Sequence, residues 1–285
     1  MTIANVNELA TALGGRFSKY FSNKTDTLPT ANQAIVGGFH SFWTAGAFPT
    51  AGAAPGASNV ALNHLSTGAI NFMQQTSPMK SYLATLNASS TSPGTTLEIH
   101  DRLITRSGLD GRGAGAQATT GFDLSLFLAT NNIGARIGDA NYSDVQWWLE
   151  WYANTGNTPT NATVNVTYND ATTGNLTAIA LAATIRNTRM IPLNSSIPAA
   201  DSGKYIRGIN SVTLSADTNT SGNFGVSATR YRASIFMPTA NKQYSNIWAD
   251  TGLPEIYNQS CLFPVCIPTS ANMGTIRIDG NIVYG

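Results

Sequence analysis

Charge is the scarcest property of this sequence. Asp, Glu, Lys and Arg make up 11% of its 285 residues, whereas an average soluble domain has about 25%. Thr, Asn and Ser supply the polarity instead, with 35, 27 and 24 copies. The net charge is +1, so the chain has no basic field to attract phosphates, and we expect no direct nucleic-acid partner. A monomer this weakly charged resists association poorly, which predicts an oligomer or a shell.

Histidine and cysteine, which supply most transition-metal ligands, are also rare. The three histidines, His40, His64 and His100, do not stand in HxH, HExxH or HxxxH spacing, so we expect neither a metal site nor a cofactor. Cys261 and Cys266 enclose Leu-Phe-Pro-Val, a spacing that matches neither a CxxC redox pair nor a zinc knuckle. We interpret them as buried reduced thiols in preference to a disulfide, because we expect a reducing compartment.

Targeting signals and long apolar runs are missing as well. The segment from Met1 to Asn5 has no basic region followed by an apolar one, as a signal peptide would. No run approaches the roughly 18 apolar residues of a membrane span. We therefore expect a protein that is made and kept in a cytosol-like compartment and has no membrane partner.

Common catalytic motifs are incomplete. The loop Gly111–Gly115 lacks both the Lys-Ser/Thr ending of a P-loop and the third glycine of a dinucleotide fingerprint, and no Gly-x-Ser-x-Gly elbow is present. His100-Asp101-Arg102 follows Glu98, but strand alternation sends Asp101 to the face opposite His100 and Arg102, so we favour an ion pair at a strand edge. We predict that the chain is not an enzyme.

A polysaccharide-cleaving enzyme is the lowest-ranked alternative. It would need two carboxylates held several ångströms apart, and the sequence offers no preferred pair among its scattered candidates. These candidates are Glu98, Asp101, Asp110, Asp123, Asp139, Asp144 and Glu150.

The character of the chain changes near residue 95, which predicts an arm of short helices and extended segments over 1–94 and a β domain over 95–285. From Val6 to Phe21 the apolar residues recur near a 3.6-residue period, with Asn5 as the cap, although Gly14-Gly15 weakens the middle. Two further helices are predicted, from Val60 to about Met73 and from Met79 to Leu86.

The arm contains a long charge-free segment, Thr27 to Met79, in which 53 consecutive residues include no Asp, Glu, Lys or Arg. Such a segment is expected to lie against something, either its own β domain or a neighbouring subunit. Because an exposed neutral apolar surface of this length would promote aggregation, we predict that it is buried against other chains, with packing on its own domain as the alternative. Its large aromatic residues are candidates for a subunit interface. These candidates are Phe39, Phe42, Trp43 and Phe48.

The second part of the chain alternates with a period of two, as half-buried strands do. Val145, Trp147, Leu149 and Trp151 fall on one face, which we assign to the core. The other face carries Trp148 and Tyr152, which we expect to be exposed or at an interface.

Further strand signals complete the pattern. A hairpin is predicted from Val164–Tyr168 through a turn at 169–175 to Leu176–Ala182. More strands are predicted at Leu97–Ile104, Ile209–Ser215, Val226–Met237 and Thr275–Tyr284, the last broken by a turn at 279–281. The expected fold is mainly β, an antiparallel, jelly-roll-like β-sandwich.

Several of these stretches, in their order and style, resemble head decoration or cement proteins of tailed bacteriophages. The resemblance spans roughly residues 97 to 235. It is carried by His100–Leu103 with Ser107 and Gly108, Trp147–Tyr152, Ala162–Asn169, and Asn210–Ala216 with Gly222–Val226.

The resemblance implies a homotrimer on the outside of the capsid that binds the lattice of the major capsid protein and ties capsomers together. The expected location is therefore the virion. The Ala- and Gly-rich first third departs from the compact form of that pattern. This departure leaves open a tail, collar or head-fibre protein with receptor or glycan binding.

Overall fold

The computed structural model describes residues 3–26, 34–113 and 115–285. The fold is mainly β, as predicted, and the pairings between its strands are antiparallel. The helices are α1 (Val6–Leu13), α2 (Ile133–Arg136) and α3 (Trp248–Thr251). In chain order the strands are β1 (Phe17–Thr25), β2 (Phe39–Ser41), β3 (Gly46–Phe48), β4 (Val60–Ala61), β5 (Ser81–Leu83), β6 (Thr85–Ser90), β7 (Thr95–Leu109), β8 (Gly115–Asp123), β9 (Val145–Trp151), β10 (Thr160–Tyr168), β11 (Thr173–Asn175), β12 (Ile179–Leu181), β13 (Arg189–Pro192), β14 (Ile206–Leu214), β15 (Phe224–Met237), β16 (Gln243–Ile247), β17 (Glu255–Ile256), β18 (Leu262–Pro268) and β19 (Thr275–Tyr284).

The central sheet closes on itself. Its strands follow the order β15-β9-β13-β2-β18-β7, and β15 also pairs with β7, so six strands form a ring that we call the barrel. The long strands β7 and β15 run side by side with register shifts at Ala228/Thr229 and Tyr231/Ala233. Such bulges bend and twist a strand pair and thereby help a sheet to close.

A second sheet, which we call sheet I, covers one side of the barrel. It has the order β16-β6-β19-β1-β3, with β5 on β19 and β17 on β5. Its inward side chains include Tyr20, Leu86 and Ile278, which share an apolar cluster with Leu97 and Ile235 of the barrel. Buried residues alternate with exposed or half-buried ones in β1 and with half-buried ones in β6, which leaves the other face of sheet I to solvent.

A third sheet covers another side of the barrel. It consists of β11, β10 and β12, with β14 paired to β10. Val164 and Val212 of this sheet pack with Trp147, Leu149 and other barrel residues in the largest apolar cluster of the described chain. Sheets packed face to face therefore confirm the sandwich character of the prediction, and the closed barrel between them is an addition that the alternating pattern did not indicate.

The helical predictions hold only at the beginning of the chain. Helix α1 starts after the Asn5 cap, whose side chain accepts a hydrogen bond from the Glu8 amide at 3.0 Å, and it stops at Leu13 before Gly14. The remainder of the predicted first helix is strand β1. The segments 60–73 and 79–86 are not helical but contain β4, β5 and part of β6, because pairing with β7 and β19 outweighs local propensity.

The turn predicted at Asp279-Gly280-Asn281 is also wrong, since β19 runs straight through it. Gly280 lies opposite Tyr20, whose hydroxyl donates to the Thr85 carbonyl at 2.8 Å. A Cβ on Gly280 would lie 2.1 Å from that carbonyl oxygen and 2.7 Å from the Tyr20 hydroxyl. Glycine is therefore present for close approach of neighbouring groups and not for a turn.

Residues before and after position 95 share sheet I and the barrel, because β1 pairs with β19 and β2 pairs with β18. The described part of the charge-free segment, residues 34–79, supplies β2, β3 and β4 to these sheets. These strands pack on their own chain, where Phe42 and Trp43 are buried, while Phe48 is exposed and free to contact a neighbour. Residues 27–33 of the segment lie outside the described ranges.

Candidate interaction surface

The six aromatic residues proposed for an interface occupy very different environments. Phe42, Trp43 and Trp148 are buried within their own chain. Phe39 and Tyr152 are half-buried. Phe48 alone among the six is exposed, at 56%. Phe48 therefore remains a candidate for an interface, whereas the rings of Phe42, Trp43 and Trp148 are parts of the core.

Trp148 is buried because it lies inside the barrel, in an apolar cluster with Met190, Phe263 and other residues of its strands. Its ring packs against Phe39 at a centroid distance of 5.0 Å, and its indole Nε1 donates to the Thr229 hydroxyl at 2.8 Å. The same hydroxyl lies 3.0 Å from Nδ1 of His100. The alternation of β9 was predicted correctly, but its second face points into the barrel and not to a partner.

Arg102 and Glu150 form an ion pair inside the barrel. The Arg102 guanidinium donates to both Glu150 oxygens, at 3.0 Å from Nη1 to Oε1 and by a short Nη2 contact to Oε2. The hydroxyls of Tyr152 and Ser227 each donate to Oε2 at 2.9 Å. Burial raises the pKa of Tyr152 far above its usual range. This arrangement satisfies the carboxylate completely and holds it away from solvent.

Asp101 lies on the opposite face of β7, as alternation predicts. It accepts from Arg136 Nε at 3.0 Å and Nη2 at 2.6 Å, from the Ser260 hydroxyl at 2.8 Å and from the Cys261 amide at 2.7 Å. Burial opposes its ionisation, but Arg136 and the Ser260 hydroxyl outweigh burial and hold the pKa of Asp101 below its usual value. The ion pair is therefore internal, and its predicted place at a strand edge is wrong.

Most candidate carboxylates for a hydrolase have partners already. Five of the seven contact a basic side chain. These pairs are Glu98 with His100, Asp101 with Arg136, Asp123 with Arg207, Asp144 with Arg230, and Glu150 with Arg102. Within the described ranges no group of three or more His, Cys, Asp or Glu side chains is placed to hold a metal ion.

Both cysteines are buried and unpaired, as expected. Burial raises the pKa of Cys261 to about 12, and the pKa of Cys266 also rises because of burial. Neither thiol is therefore placed to act as a nucleophile.

An unusual share of the charged side chains is buried in the interior of the molecule. Seven charged side chains are buried, although the chain has only 16 Lys and Arg and 15 Asp and Glu. They are Lys24, Asp101, Arg102, Arg136, Glu150, Arg186 and Arg232. The surface is therefore even less charged than the composition indicates.

The solvent side of sheet I, which we call the outer face, shows this neutrality most clearly. Its β1, β3, β6, β16 and β19 side chains are mostly amides and hydroxyls, and ten of the following thirteen are uncharged. They are Lys19, Phe21, Asn23, Thr25, Phe48, Asn87, Ser89, Gln243, Ser245, Ile247, Thr275, Arg277 and Asp279.

Strand register arranges these side chains in rows across the sheet. One row runs from Phe48 through Asn23, Arg277 and Ser89 to Gln243. Hydrogen bonds fix other outer-face side chains, including one from Asn87 to Asp279 at 3.0 Å and one between Thr25 and Thr275 at 3.0 Å. The face is therefore an ordered polar surface.

Two phenylalanines stand at one edge of the outer face. Phe21 is 47% exposed and Phe48 is 56% exposed, and their ring centroids lie 5.6 Å apart. Lys24 fixes the edge strand β3 from beneath, because its ammonium donates to the carbonyls of Ala45 at 3.0 Å and Pro49 at 2.5 Å. An exposed aromatic pair on a fixed strand is an anchor of the kind found at protein interfaces.

Comparisons with known proteins add little to this geometry. No protein-family model and no curated protein matches the chain. Among solved structures, the VP2 subviral particle of infectious bursal disease virus aligns over 94% of this chain and 80% of that chain, with 10% identity and a TM-score of 0.19. The structure of the Gt strain of the same virus aligns over 94% and 81%, with 10% identity and a TM-score of 0.17. At these TM-scores the likeness carries no argument about fold or function.

No helix in the described ranges is long and apolar enough to cross a membrane.

Proposed function

We propose that the chain is a virion structural protein that binds the outside of a tailed-phage capsid lattice and stabilises it. The observation that carries the proposal is the outer face of sheet I, an ordered neutral surface with Phe21 and Phe48 exposed at its edge. The resemblance of residues 97–235 to phage head decoration proteins supports the same class and implies a homotrimer.

The size of the outer face fits a weak contact at each site. Five strands of three to ten residues, about 4.8 Å apart and rising about 3.3 Å per residue, give an area of roughly 500 Å². A stable pairwise interface uses about 800 Å² from each partner. One subunit therefore gains little affinity through this face alone, whereas many subunits on a lattice bind multivalently.

The low surface charge suits the same role. Contacts made by amides, hydroxyls and two phenyl rings depend little on ionic strength, unlike contacts between exposed charges. A protein that binds the assembled lattice but not its dissociated subunits also stabilises the lattice by mass action. Particles that lack the protein are therefore expected to burst at a lower temperature than complete particles.

The experiment is rebinding of purified protein to particles that lack it, with Phe48→Asp as the test variant. Phe236→Asp is the matched control, because Phe236 is similarly exposed at 52% but lies on β15 and not on sheet I. We expect Phe48→Asp to lose binding and the restored burst temperature, and Phe236→Asp to retain both. Equal binding by the two variants would exclude the outer face as the contact surface.

A second candidate function, a tail, collar or head-fibre protein with glycan binding, is favoured by one separate observation. A cleft between β15 and β17 brings two arginines and two tyrosines together. Copy number in the virion distinguishes the two functions, because a decoration protein is present in many copies and a tail-tip protein in few.

A further inference from the structure

The cleft between β15 and β17 has the composition of a ligand site. It encloses about 470 Å³, which falls within the range of small-molecule pockets. Its lining consists of Asp144, Arg230, Tyr231, Arg232, Pro254, Glu255 and Tyr257.

A bulge in β15 concentrates functional groups there. The register with β7 shifts between Tyr231 and Ala233, so Arg232 has no opposite residue in the ladder. Consecutive side chains of a regular strand point to alternate faces, yet Arg230, Tyr231 and Arg232 all line the one cleft. Bulges often redirect a side chain towards a functional site in this way.

Arg232 is the cation in the cleft that forms no close ion pair among the described residues, although the more distant carboxylates of Asp101 and Asp144 attract it. Asp144 pairs with Arg230 at 2.7 Å, and Glu255 pairs with Lys80 at 2.9 Å. Arg232 is 7% exposed, donates from Nη2 to the Glu255 carbonyl, and has no partner for its buried Nε. Burial, followed by repulsion from Arg230, lowers the pKa of Arg232. A bound anion would relieve both effects.

The other groups in the cleft restrict which anion fits. The Tyr257 ring lies 5.7 Å from the Arg230 guanidinium and 6.0 Å from that of Arg232, and Tyr231 is 41% exposed. Exposed aromatic rings can stack on a sugar ring. The oxygens of Asp144 and Glu255 accept hydrogen bonds, so they favour a ligand that carries hydroxyl donors beside its anionic group.

We propose that this cleft binds an acidic monosaccharide unit, with its carboxylate on the guanidinium of Arg232, its ring on Tyr231 and its hydroxyls on Asp144 and Glu255. A planar carboxylate matches the forked donors of arginine. The proposal is independent of lattice binding, because the cleft and the outer face of sheet I are lined by different residues.

Ligand-observed NMR titration of the full chain tests the proposal, with glucuronate, glucose and inorganic phosphate as probes. Glucuronate is expected to bind saturably and about tenfold or more tightly than glucose, which lacks the carboxylate. Phosphate is expected to bind more weakly than glucuronate, because it cannot use the ring and hydroxyl contacts.

Variants then locate the site. Tyr231→Ala and Arg232→Gln are expected to weaken glucuronate binding about tenfold or more, while Arg277→Gln, an exposed arginine on the outer face, leaves it unchanged. Tyr231 is well exposed, so its replacement keeps the test valid even where Arg232→Gln impairs folding. The proposal is overturned by any of three results: no saturable binding of glucuronate, phosphate binding as tight as glucuronate, or equal loss with Arg277→Gln.

Discussion

Replacing Glu150 by Gln tests whether the ion pair inside the barrel is required for the fold. Glu150 receives hydrogen bonds from Arg102, Tyr152 and Ser227, and the side chains of Arg102 and Glu150 are 0% and 1% exposed. Glutamine keeps the shape but leaves the Arg102 guanidinium buried without a counter-charge. Breaking a buried pair in this way costs about 3–5 kcal/mol.

Thermal and urea unfolding measure this cost. A loss of that size corresponds to a fall in melting temperature of roughly 6–20 °C, taking about 2–4 °C per kcal/mol for a large domain. Asp144→Asn is the control, because its pair with Arg230 has a carboxylate that is 48% exposed, and exposed pairs contribute about 0–1 kcal/mol.

A double variant separates the lost charge from the lost contacts. Arg102→Met combined with Glu150→Gln removes both charges, so it should cost less than the sum of the two single changes. If Glu150→Gln is no more destabilising than Asp144→Asn, the buried pair is not the constraint that its geometry indicates.

Three further predictions follow from other buried groups. Ionised Asp101 contributes its full stability above its unfolded pKa of about 3.9. Because its folded pKa is lower, this contribution should disappear as the pH falls through the folded value. In urea unfolding, Asp101→Asn should therefore lower the free energy of unfolding more at neutral pH than at strongly acidic pH. Gly280→Ala should destabilise the chain by about 1–3 kcal/mol or more through its clash with β6, whereas Gly15→Ala, which meets nothing within 4 Å, should be nearly neutral in the same assay. Cys261 and Cys266 should resist alkylation until the chain unfolds, as measured by mass spectrometry, and rapid labelling of the native protein would contradict their burial.

The sequence predicted the strands of the second part of the chain well, because their alternation is long and regular. Val226–Met237 corresponds to β15 and Leu97–Ile104 to the middle of β7. It did not predict the closure of the barrel, since closure depends on which strands pair and not on their pattern. Because closure was not predicted, Trp148 was expected to be exposed or at an interface. In a barrel wall whose outside is covered by another sheet, both faces of a strand are buried.

The first part of the chain was predicted less well. Short apolar stretches such as 60–73 fit helical spacing by chance, and their conformation is set by contacts with β7 and other distant strands. Phe48 was named from its residue type, but its partner Phe21 was not, because it was assigned to a helix. No alternation of apolar residues marks β1 in the sequence, because its buried side chains are Tyr20, Ser22 and Lys24.

The sequence also did not predict the cleft between β15 and β17. Arg230-Tyr231-Arg232 reads as part of an ordinary alternating strand. The bulge that brings these three side chains together arises from the register between β15 and β7. No local property of the sequence specifies that register shift.

The most direct test of lattice binding is a reconstruction of the virion that encodes this chain, at a resolution that shows side chains. Lattice binding predicts many symmetry-related copies on the outside of the head, with the outer face of sheet I against a neighbouring subunit and with Phe21 and Phe48 covered. A few copies at a tail tip, or an outer face open to solvent in every copy, would contradict it.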